Sequence, residues 1–166
     1  MKTIPVTIRK ANPSDLSTLT ELLGELFGIE QDFVANPRRQ RRGLKLILST
    51  PDEWQIFVAE TGGRVVGMCS IHRLISTAEG ANAALIEDMV VRESLRGTGI
   101  GGKLLKTAQA WCFAQGLYRL QLLADSDNEK ALAFYKRHGW NRTSLICLRK
   151  TGRGQGKQPH HELTEM

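Results

Sequence analysis

Two features of this chain have residue types and spacing that can do chemistry. The first is Glu87-Asp88, a pair of carboxylates interrupting an otherwise apolar run from Leu85 to Val91. A strand buried on both faces reads as continuous apolar sequence, and burying an unpaired carboxylate is costly. Acids retained there point to proton transfer or amine binding, or else to a structural salt bridge. Strand alternation sends the two side chains to opposite faces unless a bulge intervenes, so only one is expected to act as a base. The second feature is Arg96-Gly97-Thr98-Gly99-Ile100-Gly101-Gly102, which opens directly into a helical pattern. Glycines let backbone N–H groups converge on an anion, and the helix beginning near Ile100 adds the positive end of its dipole. Such a bend cradles phosphate; alternatively, it merely lets the helix pack close to a sheet.

Two nucleotide signatures overlap this bend. Gly97, Gly99 and Gly102 satisfy G-x-G-x-x-G, and Gly97 to Lys103 matches most of a Walker A loop. Leu104 stands where the Walker loop needs a hydroxyl for Mg²⁺, which weighs against an ATPase. A dinucleotide fold needs more βα units than the remaining chain supplies.

The elements that must position these residues follow from patterning. Thr3 to Arg9 reads as a strand, and Asn12-Pro13-Ser14-Asp15 starts an amphipathic helix reaching Phe27, with Ser14 as N-cap. Gly28 to Asn36 is a loop, and Pro37 starts a second helix through Leu48. Its basic run, Arg38, Arg39, Arg41, Arg42 and Lys45, reads as a solvated face, with an acidic partner or a ligand phosphate as the alternative. Trp54 to Glu60 and Arg64 to Leu74 flank Thr61-Gly62-Gly63 as a hairpin, Ser76 to Asn82 is a turn, and Ala83 to Val91 is a further strand. A helix runs from Ile100 to Gln115 and is stopped by Gly116. A strand follows over Leu117 to Ala124, then a helix from Asn128 to His138 capped by Asp127, and a final strand over Thr143 to Lys150. Residues 151–166 are polar and glycine-rich and are expected to be a disordered tail after a single domain over 1–150.

Composition sets outer limits. A chain of 166 residues with 41% hydrophobic content fits one compact domain, and a formal charge of +6 is compatible with an anionic ligand without implying nucleic acid. Cys69, Cys112 and Cys147 are odd in number and lack metal-ligand spacing, so buried reduced thiols and no metal are expected. No apolar signal core or membrane-length run is visible, so a cytoplasmic protein with no membrane partner is expected.

The ordered set "RKANPSDL", "IEDMVVRESLRGTGIGGKLL" and "NEKALAFYKRHGW" resembles the Gcn5-related N-acetyltransferase (GNAT) family, whose signature falls on Arg96, Gly99 and Gly101. The likeness extends from Ile4 to Lys150. It implies an α+β fold, with a mixed, mostly antiparallel sheet, helices on both faces and a splay between the fourth and fifth strands. It also implies acetyl-coenzyme A as co-substrate. The diphosphate would lie on N–H groups from Arg96, Gly97, Thr98, Gly99, Ile100, Gly101 and Gly102, and the pantetheine arm along Met89, Val90 and Val91, with Asn128 also on that arm. The proline common between strand and loop is replaced here by Arg92-Glu93-Ser94-Leu95.

Acetyl transfer to an amine needs a neutral nucleophile, although a lysine-like amine has a pKa of about 10.4. A base is therefore required, and the resemblance favours Glu87 acting through water, with Asp88 in reserve. The leaving thiolate needs a proton, a role the resemblance gives to Tyr135; from spacing alone Tyr135 reads as a core aromatic beside Phe134 and Ala131. A backbone N–H near Met89 or Val90 is available for the oxyanion. Direct attack in a ternary complex follows, with no acetyl-cysteine. Glu30 and Asp32, with Glu87 and Asp88, suggest an acidic mouth for a small cationic amine, and some likeness to spermidine/spermine N-acetyltransferases points the same way. The alternatives are a protein lysine or N-terminal acetyltransferase, and a non-catalytic acyl-CoA-binding module. A homodimer is expected from relatives that pair through strand edges.

Overall fold

A computed structural model describes residues 5–30 and 32–152. Its elements are β1 (Thr7–Lys10), a 3₁₀ turn (Pro13–Asp15), α1 (Leu16–Phe27), α2 (Pro37–Ser49), β2 (Trp54–Thr61), β3 (Arg64–Ser76) and β4 (Ala81–Ile86). They continue through β5 (Val90–Val91), a second 3₁₀ turn (Glu93–Leu95), α3 (Ile100–Ala114), β6 (Leu120–Leu122) and α4 (Glu129–Arg137). The sheet order is β1-β2-β3-β4-β6, with β5 also on β3. Every pairing is antiparallel except β4 with β6. This is the α+β arrangement expected from the sequence.

The sheet divides two apolar layers, as period-two strands require. On one side Phe57, Cys69, Ile71, Ala84 and Ile86 pack under α3 through Ile100, Leu104, Leu105, Ala108 and Cys112, with Phe134 and Tyr135 of α4 at the margin. On the other side Ile56, Val58, Met68 and Val90 meet Leu19, Leu22 and Leu23 of α1 and Leu44 of α2. Both helices of that layer spend their apolar stripes on the sheet, which leaves the basic residues of α2 exposed.

Several expected boundaries move. Ser14 is not the N-cap: α1 follows Asp15, which makes no side-chain cap bond to it, and Asn12 caps the 3₁₀ turn ahead of it, its Oδ1 accepting the Ser14 N–H at 2.9 Å while the Asp15 carboxylate accepts the Asn12 N–H. Pro13 fixes a short 3₁₀ turn here, so the cap falls one residue before the proline. Asp127 likewise yields to Asn128, whose Oδ1 accepts the Ala131 N–H at 3.0 Å. Of the first expected strand only Thr7–Lys10 is paired, and residues 1–4 lie outside the described residues. β6 is three residues long rather than spanning Leu117 to Ala124.

The strand expected over Thr143 to Lys150 does not form. That stretch is unpaired, with Leu145, Ile146 and Leu148 each at least 80% exposed, and Cys147 within it is exposed rather than buried as expected. It has the β-forming composition without a neighbouring strand to supply the other half of each backbone hydrogen bond. Nearly all of the expected 151–166 tail lies outside the described residues.

The expected strand Ala83 to Val91 breaks in two, and the break builds the site. Ile86 lies opposite Ile71 and Val90 opposite Met68, so four steps on one side face three on β3. The extra residue bulges, leaving Glu87, Asp88 and Met89 outside the ladder. β4 runs parallel to β6 only as far as Ile86 opposite Leu122, and beyond that pair the two strands part. Gly67 makes the bulge sterically feasible, since a Cβ there would lie 2.9 Å from the Val90 carbonyl oxygen.

Candidate active site

The bend after β5 is built almost entirely from backbone. Arg96 donates from Nε to the Val91 carbonyl at 3.0 Å, and Thr98 Oγ1 donates to the Leu95 carbonyl at 2.7 Å. Gly97 and Gly99 take φ values of +78° and +88°, a region that L side chains resist. Gly99 is the N-cap of α3, which has no side-chain cap. Among the described residues, the N–H groups of Gly97 to Gly102 find no acceptor. A row of unsatisfied donors at a fifteen-residue helix's positive end fits an anionic diphosphate. Gly102 has a second role, because a Cβ there would come within 2.8 Å of His138 Nε2. His138 is held by its Nδ1–H donating to the Phe134 carbonyl at 2.8 Å, so this glycine lets α4 close against α3.

The bulge separates the two acids in environment. Asp88 is half-buried, and the Oγ of fully buried Ser70 on β3 donates to its Oδ2 at 3.1 Å. Burial raises its pKa above the ordinary aspartate value, while the Ser70 bond pulls the other way. Glu87 is exposed; its N–H donates to the Ser70 carbonyl at 3.0 Å, and among the described residues its carboxylate has no hydrogen-bond partner. Partial enclosure, then the neighbouring Asp88 charge, raises its pKa as well.

Glu30, in the loop after α1, gathers the remaining acids. Burial raises its pKa to about 7, reinforced by the charges of Asp88, Asp125 and Asp32 and opposed by Arg149. Arg149 lies 3.7 Å from the Asp32 carboxylate and stacks over Phe33 at 4.5 Å. Tyr135 packs edge-on against Phe134 and Trp140, and burial, then the Cys69 and Glu30 groups, push its hydroxyl pKa up. A phenol so placed stays protonated at neutral pH. The charges of Asp88 and Asp125 thus reach Glu30, which in turn acts on Tyr135, while Glu87 stands beside Asp88 at the exposed rim. Asn128, placed on the cofactor arm by resemblance, commits its Oδ1 to capping α4.

Sequence reasoning missed Ser70, Asp125 as a member of the acidic group, and Gly67. Ser70 had a faint signal, one hydroxyl inside the apolar run Met68-Cys69-Ser70-Ile71. It also missed a tie between the two ends of the site. Arg92 donates to Glu21 at 2.6 Å and to Glu25 at 2.8 Å, and Glu25 also accepts the Glu93 N–H at 3.2 Å.

An open sheet, a bulge at the splay and a donor-lined glycine bend define an acyltransferase architecture, and comparison with known proteins names it. The Acetyltransferase (GNAT) family model matches residues 18–140, and the chain belongs to that family. It is 31% identical over 144 residues to a glucosamine 6-phosphate N-acetyltransferase of Trypanosoma brucei brucei, covering 82% of this chain and 90% of that one. It is 30% identical over 148 residues to a thialysine N-epsilon-acetyltransferase of Bos taurus, covering 81% and 83%. Against the uncharacterized N-acetyltransferase MJ1207 of Methanocaldococcus jannaschii, 28% identical over 142 residues, it covers 84% of its own length and spans 62% of that relative. Among solved structures, a transcriptional regulator from Bacillus halodurans C-125 superposes with a TM-score of 0.76 at 27% identity, covering 89% and 100%. The protein is an N-acetyltransferase of the acetyl-CoA-dependent GNAT class. No helix among the described residues is long and apolar enough to cross a membrane.

Proposed function

We propose that the protein transfers the acetyl group of acetyl-CoA to the primary amine of a small cationic acceptor, by direct attack in a ternary complex. The observation that carries this reading is that the charges of Asp88, Asp125 and Asp32 reach Glu30 and outweigh that of Arg149. Four carboxylates attract an ammonium group and repel a phosphorylated one. That favours a thialysine-like amine, as acted on by the bovine relative, over an amino-sugar phosphate.

The N–H groups of Gly97 to Gly102 would hold the diphosphate, the strand edge at Met89 to Val91 the pantetheine arm, and the Nδ2 of Asn128 remains for that arm. Acetyl-CoA supplies an acetyl group activated as a thioester. Asp88, rather than the Glu87 favoured by the resemblance, accepts the proton lost by the amine as the C–N bond forms, because Ser70 holds it inside the sheet edge; Glu87 at the exposed rim is the alternative base. The Met89 N–H, which has no acceptor among the described residues, is placed to stabilise negative charge on the carbonyl oxygen. Tyr135 donates its proton to the departing sulfur as the C–S bond breaks and recovers one from solvent. Burial raises its hydroxyl pKa, so the proton is still on Tyr135 at neutral pH when the thiolate forms.

The test is release of free thiol from acetyl-CoA across thialysine, spermidine, lysine, glucosamine 6-phosphate, an aminoglycoside and a lysine peptide. Small cationic amines should react fastest. Faster turnover of glucosamine 6-phosphate or of the peptide would overturn the acidic-mouth reading. In the same assay Tyr135→Phe should lower kcat by about 10²- to 10⁴-fold while sparing acetyl-CoA affinity; an equal loss of both would reduce Tyr135 to a packing residue.

A further inference from the structure

We propose that Ser70 is a positioning residue for acetyl transfer, holding the Asp88 carboxylate across the bulge through Oδ2 and leaving Oδ1 to take the amine's proton. The inference rests on the reading of Asp88 as base.

Ser70 is 0% exposed, in the middle of β3. Its cross-strand neighbour is Ile56, so it faces the α1–α2 layer, where a hydroxyl gains nothing from apolar contact. A buried hydroxyl needs a partner, and here it is the Asp88 carboxylate at 3.1 Å. The same residue fixes the bulge through its backbone, its carbonyl accepting the Glu87 N–H at 3.0 Å. One residue of β3 therefore anchors both members of the acid pair just where the ladder lets them go.

The charge around Asp88 makes this bond consequential. Glu30 faces it from the loop after α1, Glu87 adjoins it on the bulge, and Cys69 lies near it on β3. Behind Glu30 stand Asp32 and Asp125, with Arg149 as the opposing cation. Burial disfavours a negative charge on Asp88, and only its own backbone N–H and Ser70 oppose that effect. The Ser70 hydroxyl favours that charge, since a donor to a carboxylate stabilises the ionised form. Without it, Asp88 would hold a proton to higher pH and fewer molecules would carry a working base at neutrality.

The experiment is a ¹³C NMR titration of the Asp carboxyl carbons in wild type, Ser70→Ala and Ser70→Thr, with Asp88→Asn assigning the resonance. The Asp88 midpoint should rise by about one pH unit in Ser70→Ala, a tenfold change in its acid dissociation constant, and return toward wild type in Ser70→Thr. An unmoved midpoint in folded Ser70→Ala would overturn the proposal. If Ser70→Ala fails to fold, Ser70→Cys keeps the volume with a weaker donor and should give an intermediate rise; a wild-type midpoint there would be equally fatal. The rising limb of kcat/KM against pH should shift with the NMR midpoint. Full turnover in Asp88→Asn, with the Ser70→Ala midpoint still raised, would show that the base reading failed while Ser70 does position Asp88.

Discussion

In the reaction proposed above, the glycine bend after β5 and the acids around Glu30 would act on the same transfer, and they are built in opposite ways. The bend offers main-chain donors from one contiguous stretch, and its shape depends on the left-handed conformations of Gly97 and Gly99. The mouth is made of side chains from three places far apart in sequence: Glu30 and Asp32, Asp88, and Asp125. Main-chain donors recognise what every donor substrate shares, a diphosphate. Side chains on loops recognise what differs between acceptors, and they change without disturbing the sheet.

If this contrast holds, the largest effects should come from the bend. Gly99→Val forces a β-branched side chain toward φ +88°, at a cost of about 1–3 kcal/mol of strain. If the bend relaxes instead, the donors scatter, and acetyl-CoA affinity measured by calorimetry should fall by about 10- to 100-fold. Gly62→Ala, at φ +55° in the hairpin turn, supplies the control: it should lower thermal stability and leave affinity intact. Unchanged affinity in Gly99→Val would break the comparison, because the bend would then not be a backbone cradle.

The mouth should respond through charge rather than shape. Glu30 keeps its proton in the folded chain up to about 7, whereas an unfolded glutamate releases it near about 4.3. Its contribution to native stability is thus full below the ordinary glutamate range and lost as pH rises toward 7. A cationic acceptor favours the ionised form, so its binding should tighten as pH climbs through that window, with proton release. Glu30→Gln should raise the acceptor KM by about tenfold, flatten its pH dependence, and leave the acetyl-CoA KM unchanged. A parallel rise in both KM values would show that the two regions are not separable.

The same contrast explains what could be read in advance. The bend was legible because its glycines, its preceding acids and its helix are adjacent in sequence. Glu87 and Asp88 stood out because charge in a buried strand is expensive. From strand alternation the bulge was only a condition, since register depends on the partner strand; its expectation came from the family resemblance, and Ser70 and Gly67 on β3 accommodate it. The caps slid from Ser14 to Asn12 and from Asp127 to Asn128 because runs of Asx and Ser residues offer several acceptors, and the backbone geometry beside each decides which one is used. Thr143 to Lys150 read as a strand from composition alone, and composition does not supply a neighbour to pair with.

The smallest expected effect tests a tie between the two regions. Arg92 directly precedes the turn that leads into the bend, yet its guanidinium reaches back to Glu21 and Glu25 of α1, the helix that carries the Glu30 loop. Glu25 also accepts the Glu93 N–H, and Arg96 approaches it at 3.9 Å, so α1 holds the entrance of the bend at several points. These groups are partly exposed, so each ion pair contributes only about 0.2–1 kcal/mol. Arg92→Ala should cost about 1 kcal/mol of stability and weaken acetyl-CoA by no more than about fivefold. The informative quantity is the coupling: in Arg92→Ala, bound acetyl-CoA should lose part of its influence on acceptor KM, and the Arg92→Ala and Glu30→Gln effects should combine non-additively. Strict additivity would mean that the bend and the mouth share a sheet and nothing more, and α1 would then be a scaffold rather than a link.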